Sequence, residues 1–224
     1  MSKARNIADA EQRFVNTAGD TMTGALNLAT AGFSGGVRSS ATTGDTTSRW
    51  RISRNTSTGQ SAKDWFLSCN TDNASFAIHE SGVGDRLTID TSGRVTMPNQ
   101  PAFRVNKSTT TNALTEIVWN VENLDTGNNF NTTTGRFTAP VAGRYFFSFF
   151  GVPQSGTLIN LALYVNGSPS GFWINNGNTS QNASCSCSAV VQLNANDFVS
   201  VFLVGGNMRT SNGDNNGFMG YLIG

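Results

Sequence analysis

The sequence predicts an all-β protein, and three of its features support this prediction. Glycine, asparagine, serine and threonine make up 99 of the 224 residues, a composition that favours many short strands joined by turns. In the second half of the chain, short apolar runs recur at the spacing of strands in a β-sandwich or jelly roll. Charged residues are only 13% of the chain, well below the roughly 25% of an ordinary soluble domain.

The chain divides into three predicted parts. Residues 1–45 form an N-terminal segment, in which 2–15 can fold as a short helix with one apolar stripe. Residues 46–100 are short strands separated by turns at 57–59, 81–82 and 91–93. Residues 101–224 form a head domain, and ten of the 15 phenylalanines follow residue 105. We place the boundary at residues 97–101, because Pro98 and Pro101 keep the residues before them out of helical geometry.

Strands as short as those of residues 46–100 bury little surface within one chain. Small units of this kind usually need partner chains to complete a core. We therefore expect a thin shaft of intertwined strands, with a loosely packed linker as the alternative. The sequence leaves open whether these strands pair within or between chains.

In two predicted strands of the head, apolar residues occupy both faces of the strand. The run 144–150 (RYFFSFF) is aromatic on both alternating sets, so its second face must be covered by the other sheet or by another subunit. The run 198–204 (FVSVFLV) is similar apart from Ser200. We therefore expect oligomerisation. The run 157–165 ends at Asn166-Gly167, a dipeptide favoured in hairpin turns with positive φ.

Several functional classes are disfavoured. A formal charge of +1 does not fit a nucleic-acid-binding surface. No apolar run approaches the roughly 18 residues of a membrane helix, and the first 14 residues lack the apolar core of a secretory signal. Cys185 and Cys187 alternate with serines on one strand, which predicts buried free thiols, and Cys69 completes no disulfide framework.

An enzyme is also not expected, and no cofactor or metal is predicted. His79 is the only histidine, so Ser-His-Asp, Cys-His and zinc sites have little support. Glu122 and Asp125 are close in sequence but lack an aromatic cleft, so a polysaccharide-cleaving spike is a minor alternative.

Motifs of the head resemble a known family. They are 134–140 (TGRFTAP), 143–148 (GRYFFS), 163–167 (LYVNG) and 218–223 (FMGYLI), in order and at suitable spacings. Together, residues 101–224 resemble the globular head of the first complement component. This resemblance implies a ten-stranded jelly roll, shared with tumour-necrosis-factor-like ligands, and a tight homotrimer.

The upstream residues differ from complement-like proteins, because no Gly-X-Y collagen run precedes the head. Instead, 19–26 (GDTMTGAL) and 87–96 (LTIDTSGRVT) are similar to segments of bacteriophage tail-fibre proteins. The resemblance implies a trimeric virion fibre or adhesin. Residues 1–45 would be its attachment segment and would dock on tail or capsid proteins. Its head would bind a host glycan or protein, without nucleic acid or membrane insertion. A capsid decoration or structural fibre without receptor binding is the alternative.

Alternating strand directions predict that 121–129, 151–157, 175–183 and 205–216 lie at the tip of the head, where long loops often carry recognition. Amides there suit hydrogen bonds to a polyol. Trp173 offers a stacking face if it points outward, with a core position as the alternative. Asp214 is a weak calcium candidate if three chains bring three carboxylates together. The receptor-contact candidates are Asn175, Asn176, Asn178, Asn207, Arg209, Asn212, Asp214 and Trp173.

Overall fold

The computed structural model describes residues 47–54, 63–70, 75–109, 111–112, 114–180, 183–209 and 215–224. In these ranges the chain forms seventeen strands in three antiparallel sheets, which confirms the all-β prediction. The same ranges contain no helix long and apolar enough to cross a membrane. The chain divides into two units, 1–40 and 41–224. The predicted helix at 2–15, the attachment segment 1–45 and the motif at 19–26 lie outside the described residues.

The N-terminal sheet is a meander in which each strand pairs with the next. Cross-strand pairs such as Trp50–Leu67 and Ile78–Leu87 place their side chains on one face, because residues directly opposite share a face. These strands pair within the chain, whereas the sequence favoured strands intertwined between chains. Its strands are β1 (Thr47–Arg54), β2 (Lys63–Asn70), β3 (Phe76–Glu80), β4 (Gly84–Ile89) and β5 (Val95–Thr96).

The head is a jelly roll of two facing sheets. The front sheet has the strand order β15-β12-β17-β6-β9, and the back sheet has the order β10-β11-β16-β13-β14, with β7 and β8 added to β16. The strands are β6 (Ala102–Asn106), β7 (Thr111–Asn112), β8 (Thr115–Glu116), β9 (Val121–Thr126), β10 (Phe130–Asn131), β11 (Arg136–Thr138), β12 (Gly143–Gly151), β13 (Ile159–Val165), β14 (Ser168–Asn176), β15 (Cys185–Leu193), β16 (Phe198–Met208) and β17 (Gly217–Leu222).

The core between these sheets is built largely of aromatic rings. Phe103 stacks on Phe130 and Phe137, with centroids 5.0 and 4.8 Å away, and meets Phe218 edge-on at 4.9 Å. Gly220 of β17 lies against the same group. A Cβ there would lie 2.5 Å from the Phe147 ring and 2.9 Å from that of Phe103. Glycine therefore leaves the space that these rings occupy.

Strand β12 divides its aromatic residues between two faces. Tyr145 and Phe147 are fully buried in the core, whereas Phe146 and Phe150 are only half-buried on the outer side of the front sheet. There Phe146 contacts Tyr221, with ring centroids 5.2 Å apart. The back sheet lies against the opposite face, so it does not cover this outer face.

Strand β16 covers its second apolar set within the chain. The guanidinium of Arg136 lies 4.2 Å from the ring centroid of Phe198. Tyr164 stacks on Phe202, with centroids 4.1 Å apart. The outward apolar side chains Phe198 and Phe202 of this strand therefore have contacts within the same chain.

The Asn166-Gly167 hairpin turn is confirmed, since both residues have positive φ, 51° and 77°. The turn also joins the next one, because the Asn166 amide donates to Asp197 Oδ1 at 2.8 Å and accepts the Phe198 N–H at 2.9 Å. Cys185 and Cys187 are free, half-buried thiols on the core side of β15, and burial raises the pKa of both. Cys69 is exposed.

Substitution of Phe103 by alanine tests the aromatic core. We expect Phe103→Ala to lower the free energy of unfolding by about 3–5 kcal/mol, because it removes a ring that contacts several others and leaves a cavity. Denaturant titration measures this loss. The control Val141→Ala removes a side chain that is 46% exposed and should cost less than about 1 kcal/mol. Equal losses in the two variants would contradict the assigned core.

Candidate functional site

The strand directions define two ends of the head. We call the end at Ala102, where the chain enters, proximal, and the end at Asn106 distal. Antiparallel pairing then places the described residues 151–158, 177–180, 183–184, 209 and 215–216 at the distal end, and 139–142 and 194–197 at the proximal end. The described residues of the loops near 151–157, 175–183 and 205–216 lie at or beside this distal end, as predicted.

The predicted tip position of 121–129 is wrong. Residues 121–126 form β9, which pairs Val121 with Asn106 and Thr126 with Ala102, and therefore runs from the distal to the proximal end. The chain first crosses the distal end after β6 and adds β7 and β8 to the back sheet before it returns. This crossing carries no long apolar run, so the strand count from the sequence missed it.

The distal connections are joined by backbone hydrogen bonds. Gly156 donates its N–H to the Thr179 carbonyl at 3.0 Å, and Arg209 donates its N–H to Val152 at 2.8 Å. Asn207 donates its N–H to the Leu158 carbonyl at 3.2 Å. The loops that follow β12, β14 and β16 therefore form one connected surface.

Two of the predicted contact residues also build their own loop. Asn176 Oδ1 accepts the N–H of Asn178 at 3.0 Å, and its Nδ2 donates to the Ala183 carbonyl at 3.2 Å. Asn178 Oδ1 accepts the N–H of Ser180 at 2.9 Å. Asn176 is half-buried and Asn178 is exposed. Asn178 is therefore the more accessible of the two to a ligand.

Asn207 and Arg209 are half-buried at the end of β16. A residue that sequence reasoning missed, Asn216, ties this end to β6. Its buried side chain accepts the Lys107 N–H at 2.8 Å and donates to the carbonyls of Lys107 and Arg209 at 3.3 and 3.4 Å. Lys107 is itself buried, which lowers its pKa, and its Nζ donates to the Val118 carbonyl at 2.8 Å.

Asn212 and Asp214 lie outside the described residues, so the calcium prediction for Asp214 stays a prediction. Among the residues with described positions, no three His, Cys, Asp or Glu side chains are grouped so as to hold a metal ion.

Trp173 and Asn175 lie on the back sheet and not in the distal loops. On β14, Ile174 faces the core, whereas Trp173 points outward and is 51% exposed. Trp173 is therefore not a core residue, and the stacking position expected for an outward Trp173 is available. Asn175 is exposed on the same face, two residues nearer the distal end.

The neighbours of Trp173 were also missed by sequence reasoning. Ala162 of β13 pairs with Trp173 on one side and with Phe202 of β16 on the other. The doubly apolar pattern of 198–204 was a signal for an aromatic outer face, but it was assigned to oligomerisation.

An ion pair lies beside Phe202 on this outer face. Arg136 Nε and Nη2 donate to the two carboxylate oxygens of Glu116, both at 2.8 Å. Arg136 holds the pKa of Glu116 below its usual value, and burial opposes part of this effect. The two charges therefore neutralise each other beside Phe202, which pairs with Glu116 across the strands.

Two cavities lie near the proximal end. One, of about 570 Å³, is lined by asparagines and threonines that include Asn129 and Asn131. Their amides hold the local turns, since Asn131 Oδ1 accepts the N–H groups of Thr133 and Thr134. The other, of about 440 Å³, lies between Arg86, Met97 and Leu222. Neither brings together the predicted contact residues.

Comparison with known proteins identifies the head. The family model described as the C1q domain matches residues 102–223. The globular domain of zebrafish complement 1qA protein is 24% identical over 56% of this chain and 98% of that one, with a TM-score of 0.42. The crystal structure of murine APRIL at pH 8.5 is 13% identical over 55% of this chain and 99% of that one, also with a TM-score of 0.42. No curated protein matches the sequence.

Removal of the Asn216 side chain tests whether this residue holds the end of β16 to β6. We expect Asn216→Ala to lower the free energy of unfolding by about 2–3 kcal/mol, because it leaves buried backbone groups of Lys107 and Arg209 without partners. The matched control is Asn120→Ala, which removes an exposed amide that bonds Ser108 and should cost less than about 1 kcal/mol. Equal losses of stability in the two variants would contradict this role of Asn216.

The Glu116–Arg136 pair predicts a pH dependence. Because the folded-state pKa of Glu116 is lowered, the pair stabilises the fold above the unfolded pKa of about 4.3, and this contribution is lost as pH falls through the folded value. Glu116→Gln should therefore cost about 1 kcal/mol at pH 7, and the difference from wild type should close in acid. Denaturant titrations between pH 7 and pH 3 measure it. A difference that is independent of pH would contradict this assignment.

Proposed function

This chain belongs to the C1q-domain family, and from that premise we propose that it is a homotrimeric fibre protein of a bacteriophage virion whose head binds the host surface. C1q-like and tumour-necrosis-factor-like domains form homotrimers and often bind ligands. The resemblance of 19–26 and 87–96 to phage tail-fibre segments supports the virion assignment. In this proposal residues 1–45 dock on other tail or capsid proteins.

The observation that carries the proposed trimer is an uncovered aromatic face on the front sheet. Phe146, Phe150, Val190, Met219 and Tyr221 form this aromatic face, and their strands β15, β12 and β17 are adjacent. Val190 and Tyr221 are 53% and 49% exposed. A contiguous apolar patch of this kind is typical of a protein interface.

The rim of the aromatic face is charged. Arg104 and Arg144 are exposed on the same side of the front sheet. An apolar centre inside a polar rim is the usual arrangement of an interface between subunits. The aromatic face therefore suits contact with copies of the same chain.

The N-terminal sheet supplies a second uncovered face. Trp50, Ile52, Leu67, Phe76 and Val95 are exposed on one side of it, and we call this side the shaft face. The opposite side is covered at Ser68 and Ala77, which are both buried. A five-stranded sheet that exposes such a face needs a partner layer to exclude water. Three sheets packed by their shaft faces would form a shaft without intertwined strands.

One charged group lies at the end of the shaft face. Glu80 is 3% exposed and pairs with both Lys63 and Arg86, with Arg86 Nε 2.7 Å from its carboxylate. Both cations lower the pKa of Glu80, Lys63 most strongly. The carboxylate is therefore paired within the chain, and the side chains of its two cations are 52% and 37% exposed, so packing of the shaft faces would not bury an unpaired carboxylate.

The distal end of the head is the proposed receptor-binding end. Its loops are long and connected, and Asn178 and its neighbours are exposed. Amides and hydroxyls there can form paired hydrogen bonds with a host glycan. Loops held by a rigid sheet scaffold are a common place for recognition.

A polysaccharide-cleaving spike is less well supported. Cleavage needs two carboxylates directed at one sugar bond. In the described head, Asp125 accepts the N–H groups of Asn129 and Phe130, and Asp197 accepts the amide of Asn166. These carboxylates hold turns, which supports a binding function over cleavage. A structural fibre or capsid decoration without receptor binding is the other alternative.

Substitution of Tyr221 by aspartate tests the aromatic face as the trimer contact. We expect full-length Tyr221→Asp to sediment as a monomer of 23.8 kDa, because trimerisation would bury three unpaired charges. The control Thr138→Asp adds the same charge to an exposed position on the back sheet and should leave the trimer intact. Sedimentation velocity distinguishes the two. A trimeric Tyr221→Asp protein would place the contact elsewhere.

Substitution of Asn178 tests host binding by the distal loops. We expect fluorescently labelled Asn178→Ala protein to bind host cells at least about threefold more weakly than wild type, because a ligand loses an exposed amide. Val141→Ala at the proximal end is the control and should bind as wild type does. Unchanged binding by Asn178→Ala would favour the structural alternative. Release of reducing sugar ends from host glycan would favour the cleaving spike.

A further inference from the structure

The outer face of the back sheet carries an aromatic surface that is separate from the distal loops. We call it the flank surface, and it consists of Trp173, Asn175, Ala162, Tyr164 and Phe202. Ala162 occupies the centre of a cross-strand row, with Trp173 on one side and Phe202 on the other. Trp173 is 51% exposed on this surface.

The flank surface is held in place before any ligand arrives. Tyr164 stacks on Phe202 with ring centroids 4.1 Å apart and an interplanar angle of 25°. Ala162 between the aromatic side chains is fully buried. Because adjacent strands lie about 4.8 Å apart, the Cα atoms of Trp173 and Phe202 are about 10 Å apart across Ala162. Side chains on paired strands lose little further freedom when a ligand binds.

Amide groups border the aromatic row on its distal side. Asn175 is exposed and pairs with Asn160 across the strands. Asn160 Oδ1 is buried and has no hydrogen-bond donor among the described residues. Gly205, opposite Asn160, leaves room for this side chain, since a Cβ there would lie 2.8 Å from Asn160 Nδ2. Because Asn160 Oδ1 is shut off from solvent, the exposed Asn175 amide is the group at this edge that a ligand can reach.

The chemistry of the flank surface selects a neutral ligand. None of its five residues is charged, and Glu116, which lies opposite Phe202 across the strands, pairs with Arg136. Sugars present C–H faces, which pack on aromatic rings, and hydroxyls, which bond to amides. The surface also lies on the back sheet, opposite the aromatic face that we assign to trimer contacts. It therefore stays accessible in the proposed trimer.

We propose that the flank surface binds a neutral glycan, with the Trp173 indole stacked on a sugar ring and the Asn175 amide bonded to its hydroxyls. This inference rests on the proposed adhesin function and gives it a second contact area of defined chemistry. Each trimer then carries three such surfaces on its sides, so a long polysaccharide can engage more than one of them.

Binding of defined polysaccharides to the full-length protein tests this proposal. The probes are three neutral polymers (dextran, mannan and galactan) and one acidic polymer, polygalacturonate, with dissociation constants measured by biolayer interferometry. We expect wild type to bind at least one neutral polymer. Trp173→Ala should weaken that binding at least about tenfold, as is usual for a central aromatic contact. Trp173→Phe, which keeps a stacking ring, should lose less, and the exposed-residue control Val141→Ala should bind normally.

The outcomes separate this inference from the proposed function. The trimer mass and the thermal unfolding of each variant establish whether it is folded. If Trp173→Ala does not fold, the comparison of Trp173→Phe with wild type still tests the proposal. Binding that Asn178→Ala abolishes and Trp173→Ala leaves unchanged would overturn the flank assignment and retain a distal one. No binding to any neutral polymer would also overturn it. The host-cell assay reports on the adhesin function independently of both results.

Discussion

Side-chain alternation in strand β12 is the constraint on which the rest of the structure depends. One set of its aromatic residues, Tyr145, Phe147 and Phe149, faces the back sheet and forms the core with Phe103 and Phe218. The other set faces outward and cannot be covered by the same sheet. The strand therefore both builds the monomer and leaves an apolar face for other subunits. In the proposed trimer this face is the subunit contact, so the back sheet stays accessible to solvent.

Features that depend on local pattern could be predicted from the sequence. The strands of the head and the positive-φ turn at Asn166-Gly167 follow from alternation and turn chemistry. Features that depend on strand order could not. The crossing from β6 to the back sheet has short strands and no apolar run, so the position of 121–129 was wrong. The sequence also could not show that β1 to β5 pair within the chain, because the same alternation of apolar and polar residues fits pairing between chains.

The candidate site shows a similar division. Loop asparagines were correctly placed near the distal end, but Asn176 and Asn178 also hold turns, which composition cannot distinguish from ligand binding. The sequence did not decide whether Trp173 lies in the core or at the surface, because β14 has no charged residue on either face. Only the pairing of Ala162 with both Trp173 and Phe202 shows that an aromatic row lies outward.

The mass of the unmodified full-length protein in solution, measured by multi-angle light scattering, tests the central claim most directly. We expect three times 23.8 kDa at all concentrations measured, because the proposed trimer covers both the aromatic face and the shaft face. A stable, folded monomer of 23.8 kDa would contradict it. The outward rings of Phe146 and Tyr221 would then be an ordinary exposed pair, and the proposed fibre would lose its main physical support.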